Sequence, residues 1–157
     1  MRWITRERPK IDRVACPWLI TRFLDSNAEF IFVPPHQVVE RARELDATPY
    51  DIPGVELSHD GEFCSFDAFL KKYNLIEPEL QYLALVVRGA DTDRHDLTPE
   101  SAGLFAISLG LSNLHSDDDH ALLEDGFIVY DGLYRWLKFC RAEKHLWVNA
   151  ATPRFGQ

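Results

Sequence analysis

Side chains able to bind a metal, move a proton or attack an electrophile are concentrated in one short stretch of this chain. Nine consecutive positions hold His59, Asp60, Cys64 and Asp67. Imidazole, carboxylate and thiolate groups perform these kinds of chemistry. Gly61 supplies a turn between His59 and Cys64, so both side chains could face one point. The alternative is a plain chain reversal at Gly61, with Cys64 as a small buried hydrophobic residue.

A second polar cluster begins at Arg88 and reads Arg-Gly-Ala-Asp-Thr-Asp-Arg-His. Its carboxylates, Asp91 and Asp93, can bind a hard cation. Its guanidinium groups, Arg88 and Arg94, can hold an oxyanion through bidentate hydrogen bonds. Gly89 could turn the backbone into a concave site. The spacing does not match a twelve-residue calcium loop, and the alternative is a polar loop that caps two helices.

Cys16 stands directly before Pro17, and this pair suggests a third chemistry. If a helix began at Pro17, the helix dipole and the nearby Arg13 would stabilise the thiolate of Cys16. Cys16 would then be a redox or nucleophilic residue. In the alternative, Asp12 caps a longer helix that Pro17 bends, and Cys16 is buried and inert.

Length, charge and hydropathy limit the kind of protein that carries these groups. The chain has 157 residues, a net charge of −8 and a pI of about 5.2. These values predict one domain over residues 1–157 and disfavour nucleic-acid binding, which requires a basic face. No apolar run of roughly 18 residues is present, so no membrane-spanning helix is expected. Three widely spaced cysteines and no signal-peptide core predict free thiols in a reducing cytoplasm. Without a CxxC pair, a structural zinc knuckle is not expected.

Periodic hydrophobicity predicts a small β-sheet followed mainly by helices. Residues 2–5 indicate a short edge strand, and residues 30–33, Phe-Ile-Phe-Val, the clearest strand. Residues 48–57 contain prolines and a glycine and indicate two short strands or an extended loop. The expected fold class is α+β, with a small β-sheet in the N-terminal 60 residues packed on a mostly helical C-terminal part.

Apolar residues at helical spacing account for most of the remaining chain. The predicted helices lie within residues 11–24, 37–45, 64–73, 78–87 and 98–111, with another beginning at 117–119 and a last one at 126–139. Ser65 is expected to cap the third of these helices. An aromatic stripe in the last helix is interpreted as core; its members are Phe127, Tyr130, Tyr134 and Trp136.

Several of these segments resemble one known family. Its motifs in this chain are RPKIDRVACPWLI (8–20), SHDGEFCSFD (58–67), VRGADT (87–92), GLFAISLGL (103–111) and VYDGLYRW (129–136). They are similar to the C-terminal domain of the chromate-resistance protein ChrB, and the likeness covers nearly the whole chain. The resemblance implies a bacterial cytoplasmic protein linked to chromate resistance, in which ChrB is a chromate-responsive regulator of an efflux operon.

The resemblance also bears on the expected partners. The chain begins at its Met just before the first motif, so the additional N-terminal region of full ChrB is not expected here. Operator binding, and nucleic acid as a partner, are not expected without that region. A partner protein or a second copy of the chain remains among the expected partners. Chromate is a tetrahedral dianion, so arginines would suit its charge. It is also a strong oxidant, so a thiol or a redox metal would suit its reactivity.

The leading hypothesis is a metal- or oxyanion-binding domain for chromate sensing or detoxification. His59, Asp91 and Asp93 are the predicted ligands of a transition metal, namely zinc, iron or manganese. Asp12 and Asp131 are candidates for additional ligands or supporting partners, because each interrupts an apolar helix.

Chromate or another oxyanion would bind the arginines Arg88, Arg94 and Arg13. One competing hypothesis is a thiol-dependent chromate reductase that uses Cys16 and requires an outside reductant. Another is a protein-interaction module without chemistry of its own.

Chain geometry predicts that the two polar segments meet. Residues 66–73 and 78–87 are expected to form an antiparallel helix pair, and the outer ends of such a pair lie on the same side. His59 and Asp91 are therefore predicted to approach a common ion, at about 2.0–2.2 Å for each ligand atom if the ion is zinc. Arg88 or Arg94 would lie beside it to receive an anion.

Overall fold

A three-stranded parallel β-sheet lies at the N-terminal end of the chain. The computed structural model describes residues 1–144. The strands are β1 (Arg2–Arg6), β2 (Glu29–Val33) and β3 (Thr48–Pro49), in the order β2-β1-β3. The predicted α+β class is confirmed. The edge position expected for residues 2–5 is wrong, because β1 pairs with β2 on one side and β3 on the other.

Residues 1–144 also form six α-helices. They are α1 (Asp12–Leu19), α2 (Val38–Glu44), α3 (Ser65–Lys72), α4 (Pro78–Asp91), α5 (Ser101–Leu114) and α6 (Asp119–Arg135). The π-helical segments Ile20–Leu24 and Trp136–Cys140 extend α1 and α6. The two helices expected after residue 117 are one continuous helix, α6. Within residues 1–144 none of the helices has the length and apolar character needed to cross a bilayer.

Both faces of β1 are buried. Successive side chains of a strand point to opposite faces, so those of β1 enter two different cores. Trp3 enters the larger core, where its ring contacts Phe69 of α3. Ile4 enters a second core with Val38 and Ala42 of α2. The sheet is therefore covered by α2 on one face and by α3 and the larger core on the other.

The final helix confirms that its aromatic stripe belongs to the core. Tyr130 is buried, and Phe127, Tyr134 and Trp136 pack half-buried against the larger core. Trp18 of α1 contacts the rings of Tyr130 and Tyr134. These contacts hold α1 against α6.

The order of the strands indicates where a ligand would bind. α1 leads from β1 to β2, and α2 leads from β2 back across β1 to β3. In parallel sheets, ligands bind outside the carboxyl ends of the strands at the point where the direction of the connections changes. That point lies between β1 and β3, beside Arg6 at the end of β1 and Asp51 just after β3.

Candidate metal centre at the strand ends

A histidine and three carboxylates converge at the carboxyl ends of β1 and β3. The Nε2 atom of His59 lies 3.2 Å from an oxygen of Asp91, 3.3 Å from Asp51 and 3.5 Å from Asp12. Ligand atoms of Asp12, His59 and Asp91 all lie within 4.8 Å of one another. These four residues are called the His59 cluster below.

Each member of the His59 cluster comes from a different part of the fold. Asp12 is the first residue of α1, and Asp91 is the last residue of α4. Asp51 follows β3 with a positive φ of 50°, and His59 lies in the loop before α3. The predicted meeting of the two polar segments is therefore observed. α4 runs through Gly89, so Asp91 reaches the cluster from the last helical turn and not from a loop.

Asp12 also holds the N-terminus of α3. Its carboxylate accepts hydrogen bonds from the backbone N–H groups of Ser65 at 2.7 Å and Phe66 at 3.0 Å. The thiol of Cys16 donates to it at 3.2 Å. A carboxylate is favoured here because helix N-termini carry unpaired N–H groups and a positive partial charge. Burial raises the pKa of Asp12 to about 6, and the hydrogen bond from His59 acts in the opposite direction.

Asp51 joins the His59 cluster to two arginines. One of its oxygens faces His59 and accepts a hydrogen bond from the hydroxyl of Ser65 at 2.9 Å. The other lies 2.8 Å from Nη2 of Arg6 and 3.2 Å from Nε of Arg13. Burial alone would raise the pKa of Asp51, but the hydrogen bond from His59 and the charge of Arg6 hold it below its ordinary value.

Cys64 and Asp67 form the cap of α3. Cys64, and not the predicted Ser65, is the residue before the helix, and its N–H donates to the Asp67 carboxylate at 3.0 Å. Arg88 donates to both oxygens of Asp67, at 3.1 and 2.7 Å, and its guanidinium lies over the ring of Phe63. Arg88 thus pairs with a carboxylate of the protein itself.

Other predicted site residues lie away from the His59 cluster. The Asp93 side chain is 94% exposed, and Arg94 pairs with Asp96 on the surface. Asp131 accepts hydrogen bonds from Trp18 and Arg22 and fastens α6 to the α1 region. Of the predicted ligands, the structure brings together His59, Asp91 and Asp12.

Cys16 lies inside α1, which begins at Asp12. Its side chain is fully buried, and burial together with the nearby charge of Asp12 raises the pKa of its thiol well above the ordinary value. The helix terminus that was expected to stabilise a thiolate at Cys16 is therefore not found there. Pro17 is accommodated within the helix.

Sequence reasoning did not identify Asp51 and Arg6 as site residues. Asp51 follows a strand of only two residues, too short to show periodicity. Arg6 stands in an N-terminal stretch that contains several basic residues, and nothing in that stretch distinguishes it from its neighbours. A usable signal was the position of each residue at the carboxyl end of a strand or just beyond it, where parallel sheets bind ligands.

The charges of the His59 cluster favour a cation at its centre. Hydrogen bonds to Asp12, Asp51 and Asp91 raise the pKa of His59 to about 12, so the imidazole carries a proton at neutral pH. Four ligands at about 2.0–2.2 Å around a tetrahedral ion lie about 3.3–3.6 Å from one another. The distances from His59 to the three carboxylates are close to these values. A divalent ion could thus replace the imidazolium proton with small movements.

The raised pKa of His59 makes the stability of the metal-free protein depend on pH. With a folded-state pKa of about 12, the protonated imidazole of His59 contributes its full stabilisation of the folded state below about pH 6.5. That stabilisation is lost as pH rises toward 12. In chelator-treated protein, we expect the difference in free energy of unfolding between wild type and His59→Gln to shrink from about pH 7 to about pH 9. Urea denaturation at both pH values measures it. A difference that stays constant or grows would contradict the charged imidazole.

Comparison with known proteins gives two findings. Residues 3–137 match the family described as "ChrB, C-terminal domain". The chain is 33% identical over 135 residues to "Protein ChrB" of Cupriavidus metallidurans, an alignment that covers 84% of this chain and 39% of that protein. No solved structure matches the chain.

Proposed function

Because the chain belongs to the ChrB C-terminal domain family, we propose that it acts in the bacterial cytoplasm in the response to chromate and binds a divalent transition metal at the His59 cluster. The family match is consistent with a part in chromate resistance. The chain spans 39% of the length of the ChrB relative it matches, so the regulatory activity of a whole ChrB protein is carried to it only as part of this proposal.

One observation carries the metal proposal: one imidazole nitrogen faces three carboxylates from three separate elements, at 3.2–3.5 Å. A single N–H cannot make a well-directed hydrogen bond to three acceptors at once. An ion at the shared point would attract all four groups and could bind three of them directly. Imidazole with carboxylates suits zinc, iron and manganese. His59, Asp91 and Asp12 are the proposed ligands, with Asp51 beside them.

Metal titration of chelator-treated protein tests this proposal. Calorimetry with Zn(II) and Mn(II) should show one ion per chain, and His59→Ala should weaken its binding by about tenfold or more, since an imidazole ligand is lost. The matched control is His115→Ala, because His115 faces one carboxylate, Asp125, at 2.7 Å. We expect this control to bind metal like wild type. Absence of a stoichiometric ion, or equal binding by His59→Ala, would contradict the proposal.

Oxyanion binding is a second candidate function, and the arrangement of Arg6 and Arg13 favours it. Both guanidinium groups share one oxygen of Asp51, and Nε of Arg6 is buried without a hydrogen-bond partner among residues 1–144. Burial and the charge of Arg6 lower the pKa of Arg13. An anion beside this pair would provide an acceptor for Nε of Arg6 and would counter the lowering of the Arg13 pKa. Of the arginines predicted from sequence, Arg13 is therefore the one we retain for chromate.

Binding of chromate and sulfate tests the second function. Arg13→Gln should weaken both anions by about tenfold, the effect of losing one charge-assisted hydrogen bond. Arg94→Gln is the control, because Arg94 is exposed and pairs with Asp96 away from the His59 cluster. Equilibrium dialysis measures both variants. Equal loss in the two variants would indicate nonspecific charge attraction and would contradict a site at Arg13.

A further inference from the structure

A groove of about 590 Å³ opens beside the arginine pair. One wall runs from the end of β1 to the first turn of α1 and contributes Arg6, Arg8, Lys10 and Arg13. The backbone of this segment is held in place, since Arg13 donates to the carbonyl oxygens of Arg6 and Glu7. The groove is thus a continuation of the proposed oxyanion site toward solvent.

The basic wall carries excess positive charge in a chain whose net charge is −8. Arg6 and Arg13 share Asp51 as their carboxylate partner. Arg8 and Lys10 are exposed and make no ion pair with any side chain in residues 1–144. Glu7 is the acidic residue of this wall. A multiply charged anion is the ligand that such a surface favours.

The opposite wall has a different chemistry. Leu109, Ser112, Asn113 and Ser116 line it from the C-terminal half of α5 and the turn that follows. Their spacing places them on one helical face, and α5 contains no charged residue from Ser101 to Leu114. This wall offers hydroxyl and amide groups with one apolar side chain. It suits the uncharged part of a ligand and not a second anionic group.

We propose that this groove binds a phosphorylated organic molecule of nucleotide size, with its phosphate on the basic wall and its uncharged body against α5. The proposal rests on the proposed oxyanion site at Arg6 and Arg13 and names its ligand class. The volume supports an organic ligand, because sites for such molecules measure about 300–1,000 Å³. A tetrahedral oxyanion alone would leave the α5 wall without a contact.

Calorimetry with AMP, inorganic phosphate and adenosine as probes tests the two walls separately. AMP should bind about tenfold more tightly than either of its parts. Lys10→Gln, an exposed change on the basic wall, should weaken AMP and phosphate alike. Asn113→Trp should fill the α5 side of the groove and weaken AMP by about tenfold, a change of about 1.4 kcal/mol in binding free energy, while phosphate binding is unchanged. The control is Ala106→Trp, an exposed position of α5 outside the groove.

The outcomes separate this inference from the function on which it rests. Equal affinity for AMP and phosphate, or AMP binding unaffected by Asn113→Trp, would overturn the organic ligand and leave the oxyanion site standing. Absence of binding by phosphate, sulfate and AMP would overturn both. The proposal is supported if AMP binds more tightly than phosphate and Asn113→Trp removes this difference. Ala106→Trp should leave the difference unchanged.

Discussion

Replacing Asp12 with alanine should lower the free energy of unfolding by about 3 kcal/mol in metal-free protein. The carboxylate accepts hydrogen bonds from the N–H groups of Ser65 and Phe66 and from the thiol of Cys16, all of them buried. A buried donor left without an acceptor costs about 1–3 kcal/mol. Removing a buried carboxylate, whose pKa burial raises, offsets part of this loss. The helix that should loosen is α3.

Urea denaturation at neutral pH measures the effect of Asp12→Ala. Asp12→Asn keeps one oxygen acceptor for the α3 terminus and should lose less. The matched control is Asp117→Ala, an exposed aspartate whose removal should change stability by less than about 0.5 kcal/mol. A loss below about 1 kcal/mol for Asp12→Ala would show that water or a neighbouring group replaces the carboxylate.

Replacing Gly89 with alanine should also cost about 3 kcal/mol. A Cβ atom at this position would lie 2.2 Å from Oγ of Ser101 and 2.8 Å from the carbonyl oxygen of Arg94. Ser101 is buried and already bonded to Thr98 and to the carbonyl of Val86, so it cannot turn away freely. Forcing extra atoms into a packed interface costs about 1–3 kcal/mol or more. α4 and α5 would have to separate, which would also move Asp91.

Gly103→Ala is the matched control for this substitution. Gly103 lies within α5, and a Cβ atom there would meet no other atom within 4 Å. Alanine favours helix more than glycine does, so this variant should gain about 0.5–1 kcal/mol. Thermal unfolding of both variants measures the contrast. Equal stabilities would mean that α4 and α5 are not packed as closely as the structure shows.

Gly89 and Gly103 are both glycines within helices, but only Gly89 is required by the packing of a neighbouring helix. The turn expected at Gly89 is not present, because α4 continues through it to Asp91. The glycine is required by the approach of α5. Local spacing cannot reveal such a requirement, since the contacting residue, Ser101, belongs to another helix.

The sequence by itself determined the family and the main helices. The motifs at residues 8–20 and 58–67 identified the ChrB C-terminal domain, and the family match confirms it. Apolar periodicity is a local property, so it located α3 and α4. The short connection between them predicted an antiparallel pair whose outer ends meet. His59 and Asp91 lie 3.2 Å apart as a result. Whether they share an ion remains a prediction that metal titration tests.

Only the tertiary structure decided that Asp12, among the candidates from sequence, joins that pair, and that Asp51 joins it as well. Asp12 and Asp51 reach His59 because β1 is central in a parallel sheet, which places the start of α1 beside the end of β3. Parallel pairing joins segments distant in the chain and leaves no periodic signal in a strand of two residues. The same packing buried Cys16 inside α1 and placed Arg6 beside Arg13. Local sequence pattern specifies elements, whereas long-range packing specifies which side chains meet.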